Sequence, residues 1–415
     1  MFSSLPWNNR THFLPIACLL TFLCLGSVGA DEALWTPDSV ILWVGGRGHP
    51  ELTAAEFRKE GAKSYLNGAG KQPNPQIKLS LSRGDVQEDA NALTQRLEIA
   101  GQPALRKQIA SSIYQQADQQ TVLISRKVVL EALTAYYHTW MARRELEISA
   151  VNHHLALQLE EIARRRFFTG QISQDEWRQA RLLSQSALAT LQRNGVAGLA
   201  AEENFRILVG YPDQSSLYLP GGNTPPRLER ATLPLKQEIM ARVEQLPEIE
   251  IAEARARQAK LEAELAGKAR APDLYVYAYR ANSHRVAQQG IQFGVSFPLF
   301  DWGEIGAEHK RKKLLAKSLQ ADAEASRRTI KAELLKARQL CRGQMSYVER
   351  LEEQFQDREV LAHHSLMAYN LGLVTLLEAI NTQRNYQDSL LELAQEAVAL
   401  ETQRVNLHLT IKETL

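Results

Sequence analysis

Several things are scarce in this 415-residue chain, and each scarcity removes a class of protein. Beyond residue 30 there is no apolar run of 18 residues, so a helical membrane span is excluded there; short alternating strands of a β-barrel are not. Cysteine occurs three times, at Cys18, Cys24 and Cys341, too few for a disulfide scaffold. The net charge is only +2, so the basic excess of a nucleic-acid binder is missing. Proline and glycine are absent from Ala104 to Thr169, and between Ala307 and Leu371 only Gly343 interrupts. No nucleophile–base set and no metal-ligand spacing stands out. His153-His154 and His363-His364 are adjacent residues on helices, about 100° apart, so neither pair chelates alone. "GGRGHP" at 45–50 lacks the strand–helix context of a phosphate loop. The reading therefore carries no cofactor, no metal and no catalytic residue.

Residues 1–30 read as a secretory signal: a lone Arg10, an apolar stretch from Phe13 to Leu25, and the small residues Val28-Gly29-Ala30. A membrane anchor and a lipidated Cys18 are the alternatives. Cleavage after Ala30 would leave Cys341 as the sole cysteine, with no intramolecular disulfide.

What is present is written twice. "HPEL" at 49–52 and "LPEI" at 246–249 lie 197 residues apart, as do "NPQIKLSL" at 74–81 and "APDLYVYA" at 271–278. "RLEIAGQ" and "PLFDWGE" place Gly101 and Gly303 202 residues apart, and "FFTGQIS" and "YNLGLVT" place Gly170 and Gly372 at the same offset. Residues 31–210 and 235–415 thus form two repeats joined by a Pro/Gly-rich linker, 211–234. Each begins with a helix-like segment, Glu51–Lys71 or Lys236–Arg270. Paired strands follow, 76–82 with 93–99 and 273–279 with 291–297. Then come a long helix (104–169, 304–371), a turn (170–173, 372–375) and a returning helix.

The strands alternate. Ile77, Leu79 and Leu81 oppose Lys78, Ser80 and Ser82; Leu274, Val276 and Ala278 oppose Tyr275, Tyr277 and Tyr279. The loops between them, "SRGDVQEDAN" and "RANSHRVAQQG", are polar. Some 65 helical residues span roughly 100 Å and need lateral partners throughout. A seam at Leu133, Tyr137, Trp140, Arg144, Ile148, Val151, Leu155, Leu159 and Ile162 supplies one; Val129, Leu130, Tyr136 and Leu157 supply a second flank. Segment 31–48 fits no pattern.

Four amphipathic strands cannot close a barrel, and bare edges are costly in lipid, so closure requires further chains. The junctions "EIAGQ" and "FDWGE" mark where a barrel would give way to a helical tunnel. There Pro298 ends the ladder, and Gly101, Asp301 and Gly303 supply turn and cap chemistry.

At this point the chain resembles the TolC family of outer-membrane efflux proteins. "FPLFDWGEIGAEHKRKK" resembles its second-repeat junction and "YNLGLVTLLEAINTQRNY" its periplasmic tip; "NPQIKLSL", "RLEIAGQPALRK" and "FFTGQISQDEWRQA" resemble the first-repeat counterparts. The resemblance runs from about His49 to the end. It implies a mainly α fold of duplicated helical hairpins with four strands per chain, trimerising into a 12-stranded barrel continued by a helical tunnel. It further implies an outer-membrane exit duct extending into the periplasm, partnered by a periplasmic adaptor and an inner-membrane transporter of RND or ABC type. "HPEL" and "LEIAGQPALRK" lean toward the heavy-metal cation efflux, CzcC-like, branch.

It also implies roles for residues. Phe167, Gly170, Gln171, Ile172 and Ser173 match the adaptor-docking tip, as do Tyr369, Gly372, Leu373, Val374 and Thr375. Glu176 and Glu378, each six residues past its glycine, match pore-narrowing carboxylates; Asn381 stands where the prototype has a second one. A ring of such carboxylates would attract cations. The alternative is that both glutamates are solvated helix N-terminal acids. A Glu176–Tyr369 hydrogen bond is expected to hold the tip closed. Arg164, Arg165 and Arg166 either meet the adaptor or pore, or form a basic face paired with Glu160 and Glu161. The reading from a different class is a soluble periplasmic coiled-coil adaptor or scaffold.

Overall fold

The computed structural model describes residues 34–46, 49–79, 88–211, 217–229, 231–283, 286–298, 300 and 302–411. The signal segment 1–30 with Cys18 and Cys24, the strand residues Ser80, Leu81 and Ser82, and the cap residue Asp301 lie outside these.

The two halves match in size as well as order. Helix α3 (Gln102–Phe168) and helix α7 (Glu304–Asn370) have 67 residues each. The returning helices α4 (Gln174–Val209) and α8 (Leu376–Ile411) have 36 each. A further helix precedes each strand pair: α2 (Pro50–Ala69) and α6 (Pro247–Gly267). Both open with proline, whose missing amide hydrogen would be unpaired at that position anyway.

The segment Lys236–Arg270 is not one helix. It breaks into α5 (Lys236–Arg242), a 3-10 turn at Val243–Gln245, α6 and a second 3-10 turn at Lys268–Arg270. Pro247 explains the break, because the residue before a proline is pushed out of the helical region; Leu246 sits at φ −71°, ψ 136°.

Three of the four strands, β2, β3 and β4, also run longer than their alternation suggests. Strand β1 is Gln76–Leu79, and β2 extends over Glu88–Glu98. Strands β3 (Asp273–Ser283) and β4 (Val286–Ser296) take in most of the stretch expected as loop. Those added residues mix polar side chains with alanine, glycine and a single valine and do not alternate, so hydropathy gives no period. Neighbouring backbone decides instead: Glu88–Glu98 pairs along all of Asp273–Ser283, which pairs in turn along Val286–Ser296.

All neighbours are antiparallel, in the order β1-β2-β3-β4. The helices repeat that order. Helices α2 and α4 lie along α3; α6 and α8 lie between α3 and α7. Since α2 leads into β1, β2 into α3, α6 into β3 and β4 into α7, each strand continues a helical column. Sheet and helices form one continuous curved wall with two free sides.

The wall is thickest around its middle, where α1 (Pro37–Gly46) gives segment 31–48 its place. Trp35, Val40 and Val44 are buried against Val129, Leu133, Tyr136 and Phe205. Trp35 meets Trp43, Phe205 and Tyr211 edge-on at centroid distances of 5.0–5.5 Å. The linker has few backbone partners of its own, so helix side chains satisfy its carbonyls. Tyr137 Oη donates to Pro226 O at 3.3 Å, Trp140 Nε1 to Pro220 O at 2.9 Å and Arg143 Nη2 to Leu217 O at 2.6 Å. The α3 seam is buried at Leu133, Tyr137, Trp140, Ile148 and Leu159, and the second flank at Val129 and Tyr136. Val151 and Leu157 are exposed instead.

Candidate functional site: two tip turns and two strand–helix junctions

The tip turns are built alike. Helix α3 ends with Gly170 in the left-handed region, φ 72°, where the amide of Gly170 bonds Phe167 O at 2.9 Å and that of Gln171 bonds Arg166 O at 2.8 Å. Helix α7 ends with Gly372 at φ 75°; Gly372 N bonds Tyr369 O at 3.0 Å and Leu373 N bonds Ala368 O at 2.9 Å. This pair of bonds closes a helix on its own last carbonyls and needs a residue tolerant of positive φ. Each returning helix then starts on a hydroxyl cap. Ser173 Oγ accepts from Glu176 N at 3.2 Å. Thr375 Oγ1 accepts from Glu378 N at 3.2 Å, while Thr375 N donates back to Glu378 Oε2 at 2.8 Å. The second tip thus has a reciprocal capping box and the first has half of one. Those bonds, the backbone amide first, hold the Glu378 carboxyl below its ordinary range.

One core joins the tips. Leu159, Ala163 and Ala180 from the first repeat pack with Tyr369, Leu376 and Ala379 from the second; Ile172, Trp177 and Val374 flank them. Phe167 stacks on Trp177 at 5.4 Å, with planes 10° apart. Phe168, Leu371 and Leu373 remain outside, each about three-quarters exposed. Gly170, Gln171, Ser173, Thr375 and Asn381 are exposed, as is Glu378, whereas Glu176 is half-buried.

The expected Glu176–Tyr369 hydrogen bond is not made. Tyr369 is fully buried and its hydroxyl has no hydrogen-bond partner among the described residues. Burial first, and the charge of Glu176 second, push the phenol above its ordinary range. Instead Arg166 crosses from the first tip. Its Nη1 donates to Tyr369 O at 2.9 Å and its guanidinium carbon lies 4.9 Å from the Tyr369 ring centroid. Arg164 and Arg165 pair with Glu161 at 2.9 and 3.3 Å, and Ser184 Oγ donates to Glu160. The triple arginine therefore divides two to one. The sequence signal was the adjacency of Arg166 to the turn; only the fold shows which carbonyl it faces.

At the other end of the wall, Gly101 (φ 85°) and Gly303 (φ 89°) cap α3 and α7 in the left-handed region. Nothing lies within 4 Å of a Cβ built on either, so conformation and not space selects glycine there. Pro298 lies beyond the last ladder residue, Ser296. A polar cluster locks the first junction to the second repeat. Arg96 Nε and Nη2 donate to Asp273 Oδ2 at 2.9 and 2.5 Å, and Arg106 pairs with Glu98 at 2.6 Å. Gln72 exchanges two bonds with the Glu98 backbone, at 2.9 and 3.2 Å. Glu98 and Asp273 are buried, and both carboxylates are matched by arginine, as buried charge requires.

Above the junctions the register sorts the sheet into two faces. Ile77, Leu93, Ala278 and Ile291 are level with one another, as are Gln95, Val276 and Phe293, and Leu97, Leu274 and Val295. The other face carries Thr94, Tyr277 and Gln292 at one level and Arg96 and Tyr275 at the next. Tyr277 and Tyr279 stack at 5.8 Å, and Tyr279 covers Gly290. Ile77, Ile291, Phe293 and Val295 are all more than half exposed, so the single chain leaves its apolar face uncovered.

This is the fold of a class of outer-membrane channels. The chain superposes on CusC, a protein described as forming a transmembrane channel, with a TM-score of 0.78 at 14% identity, over 93% of this chain and 94% of that one. The Campylobacter jejuni CmeC outer membrane channel gives 0.76 at 13% identity, over 94% and 91%. The open state of the Neisseria gonorrhoeae MtrE outer membrane channel gives 0.72 at 16%, over 93% of each chain. No family model and no curated protein sequence matches the chain. The architecture implied by the resemblance to the TolC family, duplicated helical hairpins with four strands per chain, is the one found.

Proposed function

We propose that the protein is the outer-membrane exit duct of a tripartite efflux or type I secretion system, a passive conduit built from three copies. One observation carries this reading: sheet and helical wall end at the same two sides. Strand β1 is unpaired on one side and β4 on the other; below them α4 and α7 present uncovered apolar residues. Bare strand edges are tolerated in lipid only when closed on other strands. Three copies set side to side would close twelve strands into a barrel, and the columns below into a tunnel. The apolar face would then meet lipid, and the tyrosine face would line the lumen. The two tips, with exposed Phe168, Leu371 and Leu373, would dock a periplasmic adaptor serving an inner-membrane transporter of RND or ABC type. Glu176, Glu378 and Asn381 would narrow the pore. The "HPEL" and "LEIAGQPALRK" stretches favour metal cations as cargo, with selection residing mostly in the transporter.

Fractionation of the cell envelope followed by native mass determination in mild detergent tests this. A trimer in the outer membrane is the expected result. A monomer or dimer in the soluble periplasm would instead favour a coiled-coil adaptor or scaffold.

A further inference from the structure

A groove of about 630 Å3 lies between α6 and α7, below the strand–helix junctions. Its floor is alanine: Ala256 and Ala263 come from α6, Ala316 and Ala323 from α7. Ala263 and Ala323 are buried, and the other two half-buried. Four methyl groups leave open a space that larger side chains would fill.

The first repeat serves as an internal control. Offsets of 197 and 202 residues place Lys59, Leu66, Tyr114 and Thr121 at the corresponding positions of α2 and α3. There Leu66 and Tyr114 are half-buried, and Lys59 pairs with Asp118 at 2.5 Å. The same positions carry bulk in one repeat and alanine in the other. Side-chain choice, not the fold, opens the groove.

Its charge is equally particular. At the lower end Glu253 is taken by Arg327 at 2.5 Å and Arg257 at 3.7 Å. At the upper end His309 Nδ1 lies 2.8 Å from the Ala263 carbonyl. Between these, Lys260, Lys313 and Lys317 line the groove, exposed and without an ion-pair partner among the described residues. Lys313 and Lys317 stand one turn apart, where like charges repel. In the first repeat Ser111 and Gln115 replace these two, and only Lys63 matches Lys260. Glu264 and Glu324 stand toward the two ends, so the positive charge is confined to the middle.

We propose that this groove binds a small soluble organic phosphate, its phosphate between Lys260, Lys313 and Lys317 and its apolar part on the alanine floor. Lysine binds phosphate as a point charge, and the volume is that of a small-molecule site. A lipid headgroup fits less well. Lys313 and Lys317 follow Gly303 by 10 and 14 residues, roughly 15–21 Å down the helix from the sheet.

Isothermal titration of the full-length protein in mild detergent with phenyl phosphate tests the site. The expected result is saturable binding of one molecule per chain. Lys313→Gln with Lys317→Gln should weaken it at least tenfold. So should Ala316→Tyr, which puts the first repeat's own side chain into the groove. Lys310→Gln with Lys336→Gln, both exposed and outside the groove, should leave it unchanged. Absence of saturable binding overturns the proposal. Binding that ignores Ala316→Tyr, or that falls equally with Lys310→Gln and Lys336→Gln, also overturns it, because a merely basic surface needs no cavity. Should Ala316→Tyr lose its helical circular dichroism, Lys260→Gln takes its place: weakened binding supports the site, and unchanged affinity refutes it. None of these outcomes bears on the exit-duct reading.

Discussion

Arg166, in the last turn of the first long helix, donates from Nη1 to the carbonyl of Tyr369 in the last turn of the second, at 2.9 Å, and its guanidinium lies 4.9 Å from that residue's ring centroid. A single cation thus serves the negative ends of two helices and the face of a buried ring. Arg166→Ala is expected to cost about 1.5–3 kcal/mol, as for a hydrogen bond to a charged group. Hydrogen exchange at the amides of Gly372 and Leu373, which close the second tip, should accelerate first. Protection unchanged from wild type would show that the contact holds nothing.

Tyr369 itself should behave asymmetrically. Its hydroxyl has no hydrogen-bond partner among the described residues, so Tyr369→Phe is expected to leave stability within about 0.5 kcal/mol of wild type. Its ring is fully buried between the tips, so Tyr369→Ala is expected to cost about 3–5 kcal/mol. Urea unfolding of both variants checks the pair. A large loss from Tyr369→Phe would reinstate a hydroxyl latch.

This contrast shows what could be read from residues alone. The glycines at 101, 170, 303 and 372 repeat because each stands where φ must be positive, a demand strong enough to leave a mark in sequence. The alternation of Leu274, Val276 and Ala278 against three tyrosines likewise declared a two-faced sheet. Arg166 gave no such sign, because what sets it apart from Arg164 and Arg165 is a carbonyl 203 residues away. The upper ends of β3 and β4 are illegible for a related reason: their mixture of polar residues with alanine, glycine and a valine has no two-residue period, and only strand partners make them strands. Helix α1 is short and packs through Trp35, Val40 and Val44 on a collar that exists only once the repeats are folded.

The capping box at Thr375 makes a pH-dependent contribution. Its bonds depress the Glu378 carboxyl below the ordinary value of 4.5, so the folded state favours the ionised form. The stabilisation is complete above that value and is lost as pH falls through the depressed one. Thr375→Ala removes the cap at a cost of about 1 kcal/mol near neutral pH. The difference between wild type and Glu378→Gln should shrink on acidification, as measured by tip hydrogen exchange across that window. A difference that grows on acidification would have the wrong sign.

Gly303 should be intolerant for reasons of backbone alone. With φ at 89° and open space around its Cβ position, Gly303→Ala introduces no clash beyond its own backbone. The expected cost is about 1–2 kcal/mol, read as a lowered thermal midpoint. Gly303→Asn should cost less, since asparagine visits the left-handed region more readily. Equal losses from the two would point to an unseen packing role.

The free sides of the wall give the most direct handle on assembly. On α4, Val196 and Leu199 are 70% and 71% exposed; on α7, at a similar distance from its tip, Leu340 is 56% exposed. Isolated exposed apolar residues are ordinary, but these border the two sides where the sheet is also unpaired. If a second copy covers them, charge there must oppose association without disturbing the chain's own fold. Val196→Glu with Leu199→Glu is therefore expected to convert a trimer to monomer in detergent while the helical circular dichroism stays the same. Because both residues face away from α3, loss of helix would mean that α4 depends on them internally. A trimer that survives both charges would place the contact elsewhere, and with it the geometry by which twelve strands could close.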